Sequence, residues 1–164
     1  MILILDNIRS AYNTGAILRT ADFFGIKEVY LCGITPDLTH KEVKKTALGT
    51  EKTLSVKKYH STLRLIKKLK ADEYTILALE QHARAIPLYE YKIIMSITMS
   101  ARRADRFGLK LEKVVLIVGN EINGVNKKIL EIADSILEIP KKGNKESLNV
   151  SVATGIAIYS LLLE

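Results

Sequence analysis

The sequence predicts one α/β domain, a largely parallel sheet flanked by helices, and three observations carry that prediction. Six short runs rich in Val, Ile and Leu are separated by stretches with helical spacing, so strand and helix alternate along the chain. The runs are mostly continuously apolar, the pattern of strands covered on both faces. With 164 residues, 48% of them hydrophobic and 26% charged, the chain can fill one core, and no Ser-, Gly- or Pro-rich linker divides it. A single domain over residues 1–164 is therefore expected.

Taken in order, residues 2–5 (Ile-Leu-Ile-Leu) are the first strand. A helix follows over 14–24, with Asn13 as its N-cap and Thr14 and Gly15 opening it. The second strand, 28–32, leads to a helix over 41–48, and a third strand, 53–56, to a helix over 61–70. Residues 74–79 are the fourth strand. Between Leu79 and Val114 more than thirty residues, Arg102, Arg103 and Arg106 among them, interrupt the alternation; a loop with one or two helices is expected there. Strand 114–118, helix 126–133 and strand 136–139 resume it. The closing helix, 148–163, is apolar on nearly every face and carries no charge between Glu146 and Glu164. It belongs in the interior or in a subunit interface, with Ser147 as its N-cap and Ile158 and Leu162 among its outward positions.

The net charge of +7 is unevenly placed. Residues 41–70 hold ten basic and two acidic residues, a net of +8, and the rest of the chain sums to −1. A basic segment on a near-neutral body is the footprint of a polyanion binder, and equally of a solvated lysine-rich face. Several classes fall away. Gly119 to Gly124 has the spacing of a phosphate-binding loop but continues Val125-Asn126, without the Lys and Ser/Thr that such a loop needs. His40, His60 and His82 lie far apart and have no ligand spacing with Cys32, so no metal is expected. The lone Cys32 sits in an apolar stretch and is expected buried, which fits a reducing cytoplasm. The apolar run at the N-terminus lacks a basic flank and is too short for a signal peptide or membrane span.

Three polar clusters stand at element ends. Asn13 and Arg19 open the first helix, as an ordinary cap and a snorkelling arginine or as functional groups. Gly119-Asn120-Glu121 follows a buried strand, where open α/β sheets place their ligands; a plain strand-end turn is the alternative. Ser147, Leu148 and Asn149 close the Lys-Lys-Gly-Asn-Lys loop before the apolar helix, where Asn149 needs a polar partner.

In this order the clusters resemble a family. Asn13 with five residues before Arg19 in Gly15-Ala16-Ile17-Leu18-Arg19-Thr20-Ala21-Asp22-Phe23-Phe24-Gly25, then Ile117-Val118-Gly119-Asn120-Glu121-Ile122-Asn123-Gly124-Val125, then Ile139-Pro140 through Ser147-Leu148-Asn149-Val150-Ser151-Val152-Ala153, are similar to the three signature motifs of the SpoU/TrmH methyltransferases of the SPOUT superfamily. The resemblance spans residues 5–163, and Lys45-Thr46-Ala47-Leu48-Gly49 also resembles a stretch of short family members.

The resemblance implies a homodimeric α/β fold with a C-terminal trefoil knot, and S-adenosylmethionine as cofactor. It implies methyl transfer to a ribose 2′-hydroxyl of RNA, tRNA ahead of rRNA; a catalytically inactive RNA-binding domain is the other reading. Cofactor contacts carry over to Leu79, Gly119, Ile139, Ser147 and Leu148. The catalytic set carries over to Asn13, Arg19, Glu121, Ser147 and Asn149, with Arg19 supplied to the partner's site. RNA contacts are expected from Arg9 and from Lys44, Lys45, Lys67 and Lys68 in the basic segment. A guanidinium stays protonated at physiological pH, so Arg19 is expected to position phosphate and developing alkoxide rather than act as a base.

Overall fold

The computed structural model describes residues 1–91 and 113–162. Strands β1 (Ile2–Asp6), β2 (Glu28–Cys32), β3 (Ser55–Tyr59), β4 (Thr75–Leu79), β5 (Ile86–Pro87), β6 (Val114–Val118) and β7 (Ser135–Glu138) form one sheet in the order β3-β2-β1-β6-β4-β7-β5. Every pairing is parallel. The helices bounded at both ends by described residues are α1 (Ala11–Phe23), α2 (Lys41–Ala47), α3 (Thr62–Ala71), α4 (Lys127–Ile132) and α5 (Val150–Leu162). The continuous apolarity of β1 and β6 has its cause in this order: both are central, and every residue of each is buried. Leu3 and Leu5 face a core shared with α1, α2 and α5, while Ile2 and Ile4 face a second core with α3 and α4.

Three expectations shift. The third strand begins at Ser55 because Thr50–Lys52 forms a 3-10 turn and the Thr53 hydroxyl donates to Asp22 at 2.6 Å. It runs on through Lys57 and Lys58, whose charges suit a sheet edge and break the apolar run that marks the central strands. The two-residue β5 has no counterpart among the expected strands. It lies at the opposite edge, where Pro87 costs no ladder bond. In α5, Ile158 is fully buried and Leu162 partly so, whereas Val152, Ile156 and Tyr159 point outward. Arg102, Arg103 and Arg106 lie outside the described residues. Among the described residues no helix is long and apolar enough to cross a membrane.

Candidate active site

A parallel sheet brings the carboxyl ends of its strands to one edge. The sheet order reverses between β1 and β6, the switch point at which such folds form a crevice. A cavity of about 750 Å³ opens on the β6 side of that point. Its wall combines the ends of β4, β6 and β7 with the loop leading into α5, and Asn13 of α1 reaches it from the side.

Glu121 organises this edge. Its carboxylate accepts from the backbone N–H groups of Arg9 (2.9 Å) and Ser10 (3.0 Å) and from Asn13 Nδ2 (2.9 Å). It therefore sits at the N-terminus of α1, where unpaired N–H groups and the helix dipole favour an anion. Burial raises the pKa of this carboxyl, but the bonds from Arg9, Asn13 and Ser10 outweigh it and hold the group below the ordinary value of 4.5. Asn13 Oδ1 in turn accepts from Asn149 Nδ2 at 3.2 Å. Residues 108 and 136 positions beyond Asn13 thus close on it in one polar row.

Two capping assignments are corrected. Ser10 caps α1, its Oγ accepting from Asn13 N at 3.2 Å, so Asn13 lies within the first turn with its amide free to bridge Glu121 and Asn149. Asn149, not Ser147, caps α5: its Oδ1 accepts from Ser151 N at 2.8 Å and Val152 N at 3.4 Å. One residue two positions nearer the helix could reach the first free N–H groups, and Ser147 is left exposed in the cavity wall.

Leu79, Gly119, Ile139, Ser147 and Leu148 all line the cavity. Gly119 is required by the backbone around it: a Cβ there would collide with Gly124 and Val125, where the chain folds back. For S-adenosylmethionine the fit is good. The volume lies within the range of small-molecule sites, about 300 to 1,000 Å³, and the wall pairs apolar Leu79, Ile139 and Leu148 with polar loop groups. Among the described residues no cluster of His, Cys, Asp or Glu could hold a metal.

Other candidates are not gathered here. Arg19 is exposed on α1 and does not line the cavity of its own chain. Arg9 is exposed and meets the site through its backbone N–H. Lys44 and Lys45 lie on α2, Lys67 and Lys68 on α3; all four are exposed, but the two helices cover opposite faces of the sheet. The basic segment is therefore divided by the β3 edge rather than laid out as one patch.

Several residues of the site are not singled out by their sequence, and Asn120, which is, has a partner that the sequence does not show. Glu80 accepts from Gln81 N at 3.0 Å and Val125 N at 2.7 Å, tying the end of β4 to the turn after β6. Asn120 Nδ2 donates to the Asn7 carbonyl at 2.7 Å, and Asn7 adopts the left-handed φ of 56°. Beneath them Asp6 is buried and bonded by Thr62 Oγ1, by Asn7 Nδ2 at 2.9 Å and by the Asn126 backbone; its pKa is raised because burial outweighs these bonds. Their one available signal is that they are polar residues at the ends of buried strands.

Residues 1–159 match the family model described as the SpoU rRNA Methylase family. A tRNA (guanosine(18)-2'-O)-methyltransferase of Aquifex aeolicus is 30% identical, the match covering 97% of this chain and 67% of that protein. A 23S rRNA (guanosine-2'-O-)-methyltransferase RlmB of Xanthomonas axonopodis pv. citri is 28% identical, over 97% of this chain and 57% of that one. Among solved structures, the A. aeolicus TrmH/SpoU tRNA modifying enzyme aligns with a TM-score of 0.78 at 29% identity, over 98% of this chain and 73% of the other. The AdoMet-bound rRNA methyltransferase from Sinorhizobium meliloti aligns with a TM-score of 0.79 at 26% identity, over 97% and 54%. The chain spans 57% to 67% of the length of the two curated relatives. With the match running from Met1 to Tyr159 and the fold shared with the A. aeolicus enzyme over nearly the whole chain, the protein belongs to the SpoU rRNA methylase family.

Proposed function

We propose that this protein transfers a methyl group from S-adenosylmethionine to a ribose 2′-hydroxyl of RNA, with tRNA as the favoured substrate class. The observation that carries the reading is the row Glu121–Asn13–Asn149 beside a cavity of cofactor size. Relatives named for guanosine 18 of tRNA support tRNA; those named for 23S rRNA keep the same chemistry on rRNA as the second reading. Family membership further supports a C-terminal trefoil knot, a homodimer and a cytoplasmic location.

The bound cofactor supplies an electrophilic methyl group on a sulfonium. Leu79, Gly119, Ile139, Ser147 and Leu148 are the residues that would hold it. Glu121 already accepts three hydrogen bonds and is ionised at neutral pH, so its part is to orient Asn13 rather than to take the hydroxyl proton. Asn13 and Asn149 then offer a fixed amide pair to the ribose, and much of the rate comes from this positioning. Arg19, exposed and outside the wall of its own cavity, serves the partner's site, where it grips phosphate and stabilises the alkoxide while the proton leaves to phosphate or water. The outward face of α5 supports that dimer: Tyr159 is 57% exposed, and Ile156 lines a groove against Ala16 and Thr20 of α1.

Mapping 2′-O-methylation in total RNA with and without the gene names the substrate and nucleotide. Calorimetry with S-adenosylmethionine separates the enzyme from an inactive RNA-binding domain, which needs no cofactor.

A further inference from the structure

Ile122 is 71% exposed at the wall of the cofactor-sized cavity, more open than Leu148 at 48%. A single exposed isoleucine is ordinary on a protein surface. This one sits on a turn that is hydrogen-bonded within itself and to its surroundings. The turn 120–124 is closed by paired backbone bonds, Asn120 N to Gly124 O at 3.1 Å and Gly124 N to Asn120 O at 2.9 Å. Inside it, Asn120 Oδ1 accepts from Ile122 N at 2.9 Å and from Asn123 N at 3.0 Å. The turn is also pinned from outside, by Asn120 Nδ2 on the Asn7 carbonyl at one end and by Glu80 on Val125 N at the other. Glu121, the preceding residue, is fixed to the start of α1. Residue 122 is thus the apex of a braced turn, one position past the carboxylate that orients Asn13.

We propose that Ile122 is an apolar rest for the base of the nucleotide being methylated. The inference rests on the RNA methyltransferase reading and adds to it the contact made by the base. A nucleotide brings two unlike parts to the site, a ribose with hydroxyls and a base with an apolar face. The row Glu121–Asn13–Asn149 matches the first, and Ile122 beside it matches the second. Because the turn is already ordered, seating the base costs it no conformational freedom, and the contact serves orientation. An aliphatic side chain meets the face of any base, so Ile122 holds the base without reading its hydrogen-bonding edge.

The test uses the full chain, Ile122→Ser and Ile122→Phe, and a synthetic RNA carrying the mapped site either intact or with an abasic target ribose. Ile122→Ser is expected to lower kcat/KM on intact RNA by roughly 5- to 30-fold, the scale of removing one apolar side chain from an interface. On abasic RNA it should match the wild type, while Ile122→Phe keeps most activity on intact RNA. Melting temperature and S-adenosylmethionine affinity should not move. Equal losses on intact and abasic RNA, undiminished activity on intact RNA, or weakened cofactor binding would each overturn the proposal. A wild-type protein that binds S-adenosylmethionine but methylates no RNA would remove the underlying reading and this one with it.

Discussion

Asn13 stands between Glu121 and Asn149, donating to the first from Nδ2 at 2.9 Å and accepting from the second at Oδ1 at 3.2 Å. The amide does both, from two different atoms. Asn13→Asp keeps the shape and the acceptor but sets a carboxylate against Glu121, which disfavours both charges. Turnover is expected to fall about 10²-fold or more, a magnitude taken from loss of a positioned polar group, with cofactor affinity within a few fold. Wild-type kinetics for Asn13→Asp would remove the row from the mechanism.

Arg19→Lys keeps the charge but loses the planar fork that grips two oxygens. Turnover should drop roughly 10²- to 10³-fold, as for removal of one oxyanion donor, while calorimetry shows cofactor affinity intact. Because Arg19 lies away from its own cavity, mixing Arg19→Ala with Gly119→Ala, which the crowded turn cannot accept without disturbing the cofactor wall, should restore part of the activity in heterodimers. No recovery on mixing would place Arg19 in its own chain's site.

The exposed apolar face points to the positions that control dimerisation. Phe23 is 83% exposed, and Ile156 and Tyr159 project from α5 beside it, whereas Ile158 is core. Ile156→Lys and Tyr159→Glu should give folded monomers with little activity, and Ile158→Lys should unfold the chain, since a charge there has no water and no partner. Light scattering and circular dichroism separate the two outcomes. A fully active wild-type monomer would sink the dimer.

RNA affinity should fall steeply with salt, and the division of the basic segment between α2 and α3 makes the two lysine pairs separable. Replacing Lys44 and Lys45, or Lys67 and Lys68, by Ala should flatten the log-log salt slope by about 0.7 to 0.9 for each phosphate that is no longer neutralised. An unchanged slope for one pair identifies that helix face as merely solvated. An unchanged slope for both removes the segment from the interface.

Glu121 makes stability sensitive to acid in a defined direction. Its folded pKa is lowered, so its contribution is present above the unfolded value of 4.5 and is lost as pH falls through the folded value. Glu121→Gln should be less stable than wild type at pH 7, with the gap narrowing below pH 4.5 as both forms become neutral. Denaturant melts across that range measure it; a constant gap would show that hydrogen-bond geometry rather than ionisation supplies the effect.

Much of this molecule is legible in its residues. Continuous apolar runs mark β1 and β6 because a central parallel strand is covered on both faces and has no side to leave polar. Where that cause is missing the reading falters: β3 is an edge strand carrying Lys57 and Lys58, and β5 is two residues long. The site motifs are legible as polar clusters at strand ends, yet their partners are not, since Glu80 and Asn7 meet them through contacts between segments far apart in the chain.

By itself the sequence determined the alternating class, the buried strands and the three clusters, since periodicity and local chemistry are properties of neighbouring residues. Tertiary structure alone decided that Ser10 and Asn149, rather than Asn13 and Ser147, cap the two helices, because a cap is chosen by which side chain reaches the free N–H groups once the loops are folded. It also decided that Asn13 meets residues 108 and 136 positions away, and that one basic run splits over two faces of a sheet. The physical reason is the parallel sheet: it carries the end of each strand to a common edge whatever their distance along the chain, and because the chain crosses from the β3 edge to the far side of β1 after β3, right-handed connections put α1 and α2 on one face and α3 on the other.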